Sequence, residues 1–144
     1  METRLKLIEI ALKEYGNIEL DGPNSNPDVM KYFHETGREW VEDDSTPWCD
    51  AFVDWVVMKA GGDPSPGLLA RAWLDFGEVI LEPEVGDLVI FWRVKWNSPY
   101  GHVGFFVRRK DNYIWVLGGN QSNMVKIAVY SAERVLGYRR IEIE

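Results

Sequence analysis

The chain has 144 residues, a length that suits one domain with its own hydrophobic core, and we predict a single domain over residues 1–144. The formal net charge is −7 and no basic run exceeds three residues, which argues against nucleic acid or an anionic membrane surface as a partner. A single cysteine excludes an internal disulfide bond.

The N-terminal part of the sequence has the periodicity of helices. Apolar residues recur at helical spacing over 2–15, and Gly16 is expected to end this first helix. The same segment does not resemble a signal peptide, because charged residues interrupt it and no small-residue cleavage site follows. Turn-forming residues dominate 17–27, and a second helix is predicted from Val29 to about Gly37.

The segment TPWCDAFVDWVVMKAGG at 46–62 predicts a central helix that carries the one cysteine, Cys49. Thr46 is a favourable N-cap and Pro47 suits the first helical position, while two glycines end the helix. In this register Cys49 is the third helical residue, where free backbone N–H groups and the helix dipole favour the thiolate. The position therefore predicts a reactive cysteine with a pKa below about 8.5.

The second half of the sequence has the pattern of strands, after a short helix predicted around 68–76. Strands are predicted at 88–92, 102–107, 113–117, 125–130 and 135–143, with a hairpin turn at 108–112. Helices followed by short antiparallel strands indicate an α+β fold.

A nucleophilic cysteine needs a base and a group that orients the base. His102 opens the second predicted strand, and a tight hairpin places it opposite residues 118–120 of the next strand. Asn120 or Gln121 therefore lies beside His102. A one-residue slip in register, or a bulge at the adjacent glycine pair, decides which amide shares its face.

The sequence contains four motifs in this order: WCDAFVDW at 48–55, GDLVIFWR at 86–93, GHVGFFV at 101–107 and VLGGNQ at 116–121. Together they resemble the NlpC-type and CHAP cysteine hydrolases, papain-like enzymes that cut amide or peptide bonds in bacterial peptidoglycan. The resemblance extends from about Glu9 to Arg139 and is greatest to small proteins with WC-x-AFV and LGGNQ. It implies a papain-like α+β fold, in which the helix with Cys49 packs on an antiparallel sheet of five or six strands.

The resemblance also implies roles for residues. Cys49 would be the nucleophile, His102 the general base and Asn120 the residue that orients the imidazole. Trp48, Trp96, Tyr100 and Gln121 are the expected substrate-binding residues. Asp50 departs from the small residue that is usual after the nucleophile, and an anion there would disfavour the thiolate.

The implied activity is that of a peptidoglycan amidase or endopeptidase that works through a thioester, and a monomer is expected. No cofactor or metal is predicted, because one cysteine and two distant histidines do not have metal-ligand spacing. The protein would act on the cell wall after release or export by a route other than Sec.

Two alternatives remain. The chain could be a catalytically silent papain-like domain that binds wall fragments or serves in a phage or secretion assembly, and Asp50 favours this alternative. The enzyme could also act on a protein or a small amide.

Overall fold

The computed structural model of the protein describes residues 2–20, 25–44 and 46–143. In these ranges the N-terminal part forms three α-helices: α1 (Thr3–Leu12), α2 (Pro27–His34) and α3 (Cys49–Lys59). The rest forms six strands: β1 (Glu78–Ile80), β2 (Leu88–Trp92), β3 (Gly101–Lys110), β4 (Tyr113–Gln121), β5 (Met124–Ser131) and β6 (Val135–Arg140). Short 3₁₀ helices at Ala70–Asp75 and Ala132–Arg134 precede β1 and β6. Among the described residues no helix has the length and apolar character needed to cross a bilayer.

The six strands form one antiparallel sheet in the order β1-β6-β2-β3-β4-β5. This confirms the predicted α+β fold, a helix-borne cysteine and a sheet of up to six strands. β1 was not predicted, because its three residues are too few to show a period. The strand after the hairpin was predicted to end at residue 117, whereas β4 continues through the GGNQ segment to Gln121.

The helices lie where the sequence predicts them, but their ends differ. α1 ends at Leu12, and Gly16 closes the next turn with a φ of 95° and an N–H that donates to the Val125 carbonyl at 2.8 Å. α2 begins at Pro27, with the Asn26 side chain accepting from the Asp28 N–H, and stops at His34. Residues 21–24 of the predicted turn-rich loop lie outside the described ranges.

α3 begins two residues later than predicted. Trp48 is its N-cap, and the first helical hydrogen bond runs from the Phe52 N–H to the Trp48 carbonyl. The Trp48 indole is fully buried, stacks on Tyr32 and donates its N–H to Glu19 at 3.0 Å. These contacts fix Trp48 in a non-helical conformation, so Thr46 and Pro47 precede the helix and Cys49 is its first residue rather than its third.

The sheet separates two apolar clusters, because side chains alternate along its strands. Leu88 and Ile90 of β2 face the large cluster around α3, in which every helix residue from Cys49 to Val57 is buried. Val89 and Phe91 face a smaller cluster on the other side of the sheet. β4 passes close to α3 at Gly119, where a Cβ atom would lie 2.7 Å from the Phe52 Cβ and 2.8 Å from the Trp48 ring. The glycine therefore permits the contact that sets the start of α3 against β4.

Candidate active site

Cys49 lies at the start of α3 with 6% of its surface exposed. As the first helical residue, it has a backbone N–H without a partner inside the helix. The backbone N–H groups of Val103 and Asp50 are close enough to the thiol to act on its pKa. The structure therefore places the cysteine beside the beginning of β3, where His102 precedes Val103.

Burial decides the protonation state of Cys49. It raises the pKa of the thiol to about 11, while the Val103 N–H and the charge of Arg93 oppose this rise. The expectation of a lowered pKa is wrong, because desolvation of the sulfur outweighs the start of the helix. The resting group at this position is a neutral thiol.

The imidazole of His102 has a defined tautomer. Its Nε2 lies 2.8 Å from Oε1 of Gln121. The Gln121 amide nitrogen donates to the carbonyls of Val116 at 3.0 Å and Lys126 at 2.6 Å, which fixes the amide with its oxygen toward the ring. His102 therefore carries its proton on Nε2, and Nδ1 has the lone pair that can accept another.

The predicted contact between Asn120 and His102 is wrong, because Gln121 makes it. The pairing of β3 with β4 would set Asn120 opposite His102, as Phe105 pairs with Leu117. Asn120 has a left-handed φ of 58°, and the pairing of β4 with β5 is irregular between Gly118 and Gln121. This local distortion turns the next side chain, Gln121, toward the imidazole, while Asn120 lines a cavity beside it.

Tyr130 of β5 also contacts the imidazole. The two rings stack with centroids 5.1 Å apart, and the Tyr130 hydroxyl lies 3.2 Å from Nε2. Phe91 also stacks on Tyr130, with centroids 4.9 Å apart, and its own centroid lies 6.4 Å from that of the imidazole. Burial in this apolar setting lowers the pKa of His102 to about 4, although the hydrogen bond to Gln121 opposes the shift. The imidazole is therefore neutral at physiological pH.

The sequence does not predict the contact between Tyr130 and His102, because strand pairing alone places the two residues far apart along the sheet. Tyr130 pairs with Ile114, which pairs with Arg109. In a flat sheet Tyr130 would therefore be roughly 20 Å along the strands from His102. The sheet must curl to bring the two rings together, and no local pattern of residues encodes this curl.

Comparison with known proteins identifies the domain family of this chain. The CHAP domain family matches residues 41–120, more than half of the chain. This chain belongs to the CHAP domain family. The family is one of cysteine peptidases of the peptidoglycan-hydrolase type, and its members are generally hydrolases.

A solved structure supports the fold of this CHAP domain. The protein is described as similar to a lipoprotein of the NLP/P60 family, from Staphylococcus aureus, and is 20% identical with a TM-score of 0.53. The similarity covers 99% of this chain but 42% of the staphylococcal chain, so this chain spans less than half of that protein. Comparison of the sequence with curated proteins gives no match.

Two cavities flank the candidate catalytic residues of the CHAP domain. A cleft of about 430 Å³ opens beside Cys49 and is lined by Thr46, Pro47, Leu68, Leu69, Ala70, Arg93, Val94, Tyr100 and Gly101. A polar cavity of about 270 Å³ opens beside His102 and is lined by Phe91, Trp92, Arg93, Asn120, Gln121, Ser122, Asn123, Tyr130 and Arg134. Arg93 borders both.

The predicted substrate-binding residues divide into two groups. Tyr100 borders the cleft and Trp96 is 70% exposed in the neighbouring loop, so both are accessible to a ligand. Trp48 is wrong as a substrate-binding residue, because its ring is fully buried in the core. Gln121 is corrected from a substrate contact to the partner of His102, because its amide is fully bonded inside the protein.

Asp50 belongs to a buried polar cluster with Arg38, Asp54 and Ser65. Asp54 accepts from the Arg38 guanidinium at 2.7 Å and from both the N–H and the hydroxyl of Ser65 at 2.8 Å. Asp50 has its Oδ1 3.1 Å from the same hydroxyl and its Oδ2 without a partner among the described residues, 4.0 Å from Arg38. The Ser65 hydroxyl has one proton and can donate it to only one of the two carboxyl groups. One of the carboxyl groups must therefore carry a proton of its own.

The poorly solvated Asp50 is the group that holds this proton. Burial, followed by the charge of Asp54, raises the pKa of Asp50 well above its usual range. The two carboxyl groups together hold one proton, and the remaining charge balances Arg38. Asp50 is therefore neutral at pH 7, and the expectation that it places an anion beside Cys49 is wrong.

The other histidine, His34, ends α2, is exposed and donates its Nε2–H to the Val41 carbonyl at 2.8 Å. It takes no part in this site. In the part of the chain that the structure describes, His, Cys, Asp and Glu side chains form no group of three or more that could hold a metal ion.

Proposed function

We propose that this CHAP domain hydrolyses an amide or peptide bond in bacterial peptidoglycan, with Cys49 as nucleophile and His102 as general base. The observation that carries the proposal is the hydrogen bond from His102 Nε2 to the locked amide of Gln121. It leaves Nδ1 free to take a proton beside a cysteine that opens a helix. Membership of the CHAP family supports the substrate class.

In the first step the sulfur of Cys49 bonds to the substrate carbonyl while Nδ1 of His102 takes the thiol proton. The carbonyl oxygen becomes an oxyanion, and the free backbone N–H of Cys49 is placed to donate to it. One such donor is typically worth about 3 kcal/mol of barrier. The carbon–nitrogen bond then breaks, the amine leaves with the proton from Nδ1, and a thioester remains.

In the second step water attacks the thioester and gives a proton to the same Nδ1. The carbon–sulfur bond breaks, the sulfur regains a proton and the substrate leaves as a carboxylic acid. Gln121 keeps the proton on Nε2 throughout, so that Nδ1 is the atom that exchanges protons. We propose that the protein acts on the cell wall.

Digestion of purified peptidoglycan tests the proposal. The wild-type protein should release fragments whose masses show a new amino and a new carboxyl group at one bond. Cys49→Ala and His102→Ala should each lower the rate by roughly 10³-fold or more, as loss of a nucleophile or base does in related mechanisms.

His34→Ala is the matched control, because the other histidine lies outside the site, and it should retain the wild-type rate. Circular dichroism spectra should be the same for all variants. Wild-type activity in Cys49→Ala would refute the nucleophile assignment. Binding of wall fragments without cleavage by the wild type would support the silent-domain alternative.

A further inference from the structure

Arg93 stands out among the cations near the candidate active site. Its backbone N–H donates to the Tyr100 carbonyl at 3.1 Å, which fixes its main chain directly after β2. Its side chain is exposed, and among the described residues its guanidinium has no hydrogen-bond or ion-pair partner. A planar group with five donors therefore lies at the site, and no described residue satisfies it.

The neighbouring arginines are engaged within the protein. Arg71 donates to the carbonyls of Tyr100, Trp96 and Lys95 at 2.8 to 3.0 Å and so holds the loop before β3. Arg134 donates to the Trp92 carbonyl at 3.2 Å and stacks on the Trp92 ring. Both have structural contacts that account for their positions, whereas the Arg93 guanidinium has no hydrogen bond or ion pair with any residue in 2–20, 25–44 or 46–143.

The position of Arg93 links it to the substrate path. It is the residue that borders both the apolar cleft beside Cys49 and the polar cavity beside His102. The charge of Arg93 acts on the Cys49 thiol and on the His102 imidazole. It opposes the rise in the pKa of Cys49 and adds to the fall in the pKa of His102. An extended peptide that lies across Cys49 and His102 must therefore pass this guanidinium. The protein carries a net charge of −7, so an unpaired positive charge at this position contrasts with the net negative charge of the chain.

We propose that Arg93 is an anion subsite that binds a free carboxylate on a substrate residue next to the scissile amide. The proposal rests on the proposed hydrolysis of peptidoglycan and specifies which stem peptides the site prefers. Arginine recognises carboxylates through two parallel N–H donors, and such charge-assisted bonds are stronger than neutral ones. Amidation of that carboxylate removes the charge and one acceptor, so the amidated peptide should bind more weakly.

The test measures binding in the Cys49→Ala background, where no turnover occurs. Three synthetic stem peptides are titrated by calorimetry: one with free glutamyl and terminal carboxylates, one with the glutamyl carboxylate amidated, and one with the terminal carboxylate amidated. The free peptide should bind about tenfold more tightly than one of the amidated forms, a difference of about 1.4 kcal/mol. Which form binds weakly identifies the carboxylate that Arg93 contacts.

Arg93→Met should bring this ratio close to one, and Arg93→Lys should retain part of it. Lys95→Met is the matched control, since it removes a nearby exposed charge that borders neither cavity. It should keep the preference of the parent. An unchanged ratio in Arg93→Met, no preference in the parent, or no binding of any peptide would each overturn the proposal.

The binding test separates this subsite from the proposed activity. A preference for the carboxylate that depends on Arg93, combined with no hydrolysis by the wild type, would refute the enzyme and support the subsite. Hydrolysis without any preference between free and amidated peptides would support the enzyme and refute the subsite.

Discussion

At the scale of single residues, the orientation of one amide determines the chemistry open to His102. The Gln121 oxygen faces Nε2 because its nitrogen is bonded to two backbone carbonyls. Loss of this amide would free the ring to rotate and to exchange tautomers. Asn120 lines the polar cavity but does not hold the ring.

Gln121→Ala should therefore lower kcat/KM for peptidoglycan by on the order of 10- to 100-fold, as loss of a residue that orients an imidazole does elsewhere. Asn120→Ala, the matched neighbour, should change kcat/KM less than threefold or so, by the same reasoning. Steady-state rates with soluble wall fragments compare the two. A larger loss in Asn120→Ala than in Gln121→Ala would return the orienting role to Asn120.

The protonation states of Cys49 and His102 predict a pH dependence. A thiol with a pKa of about 11 and an imidazole with a pKa of about 4 form a neutral pair between these values. The general base must be neutral, so kcat/KM should fall only as the pH drops toward about 4. Iodoacetamide reacts with the thiolate, so the rate of alkylation should rise continuously toward a pH of about 11.

Labelling rates over this pH range, with mass spectrometry to confirm modification of Cys49, check the prediction. A rate that is constant from mildly acidic to mildly alkaline pH would instead show a thiolate–imidazolium pair in the resting enzyme. In that event the pKa of the thiol would be lowered by a charged His102.

At the scale of secondary-structure elements, the N-terminal half of α3 places a thiol at an open cleft and two carboxyl groups in a closed polar cluster. Cys49 borders the open cleft, whereas Asp50 and Asp54 lie in the closed cluster with Arg38. Arg38 also donates to the Ser65 carbonyl at 2.6 Å, so the cluster joins α3 to the chain beyond α2 and to the loop after α3. The shared proton keeps this cluster neutral as a whole.

The cluster predicts how stability changes with pH. Below about pH 4 an aspartic acid is protonated in the folded and in the unfolded chain. As the pH rises above that value, the unfolded chain loses the Asp50 proton, while the folded chain keeps it up to its raised pKa. The folded state then binds more protons than the unfolded state, so the Asp50 contribution to the free energy of unfolding declines with rising pH.

Asp50→Asn should remove this decline, because an amide resembles the protonated acid at every pH, so the variant should have a larger free energy of unfolding than wild type at neutral pH. Asp54→Asn should cost roughly 3–5 kcal/mol, because it breaks the buried ion pair between Arg38 and Asp54 by removing the carboxylate. Urea unfolding of both variants from pH 5 to 9 measures the two effects. Equal losses in the two variants at pH 7 would mean that the proton does not reside on Asp50.

At the scale of the whole molecule, the sequence predicts what local signals encode. The hydrophobic run at 88–92, the alternation at 102–107 and the hairpin turn between β3 and β4 place three central strands, and the glycines after Lys59 end α3. The same signals put Cys49 at the start of a helix and His102 at the start of a strand. These are the features on which the proposed mechanism depends.

The remaining features depend on contacts between distant residues. The burial of Trp48 against Tyr32 shifts the start of α3, and the left-handed backbone at Asn120 exchanges the predicted amide for Gln121. Burial of the thiol reverses the expected direction of the Cys49 pKa. Each of these results is set by tertiary packing, which a pattern of neighbouring residues does not contain.

The curl of the sheet makes the site depend on β5, because it brings Tyr130 of that strand against His102. β5 is an edge strand, since it ends the sheet order and pairs with β4, and its first two residues also bond to residues 16–18. Edge strands open more readily than central ones, because fewer contacts must break. Opening of β5 would withdraw Tyr130 from His102 and the Lys126 carbonyl from Gln121, while β2 and β3 stayed paired. Loss of the aligned imidazole would then precede loss of the fold, and faster amide hydrogen exchange in β5 than in β3 would show it.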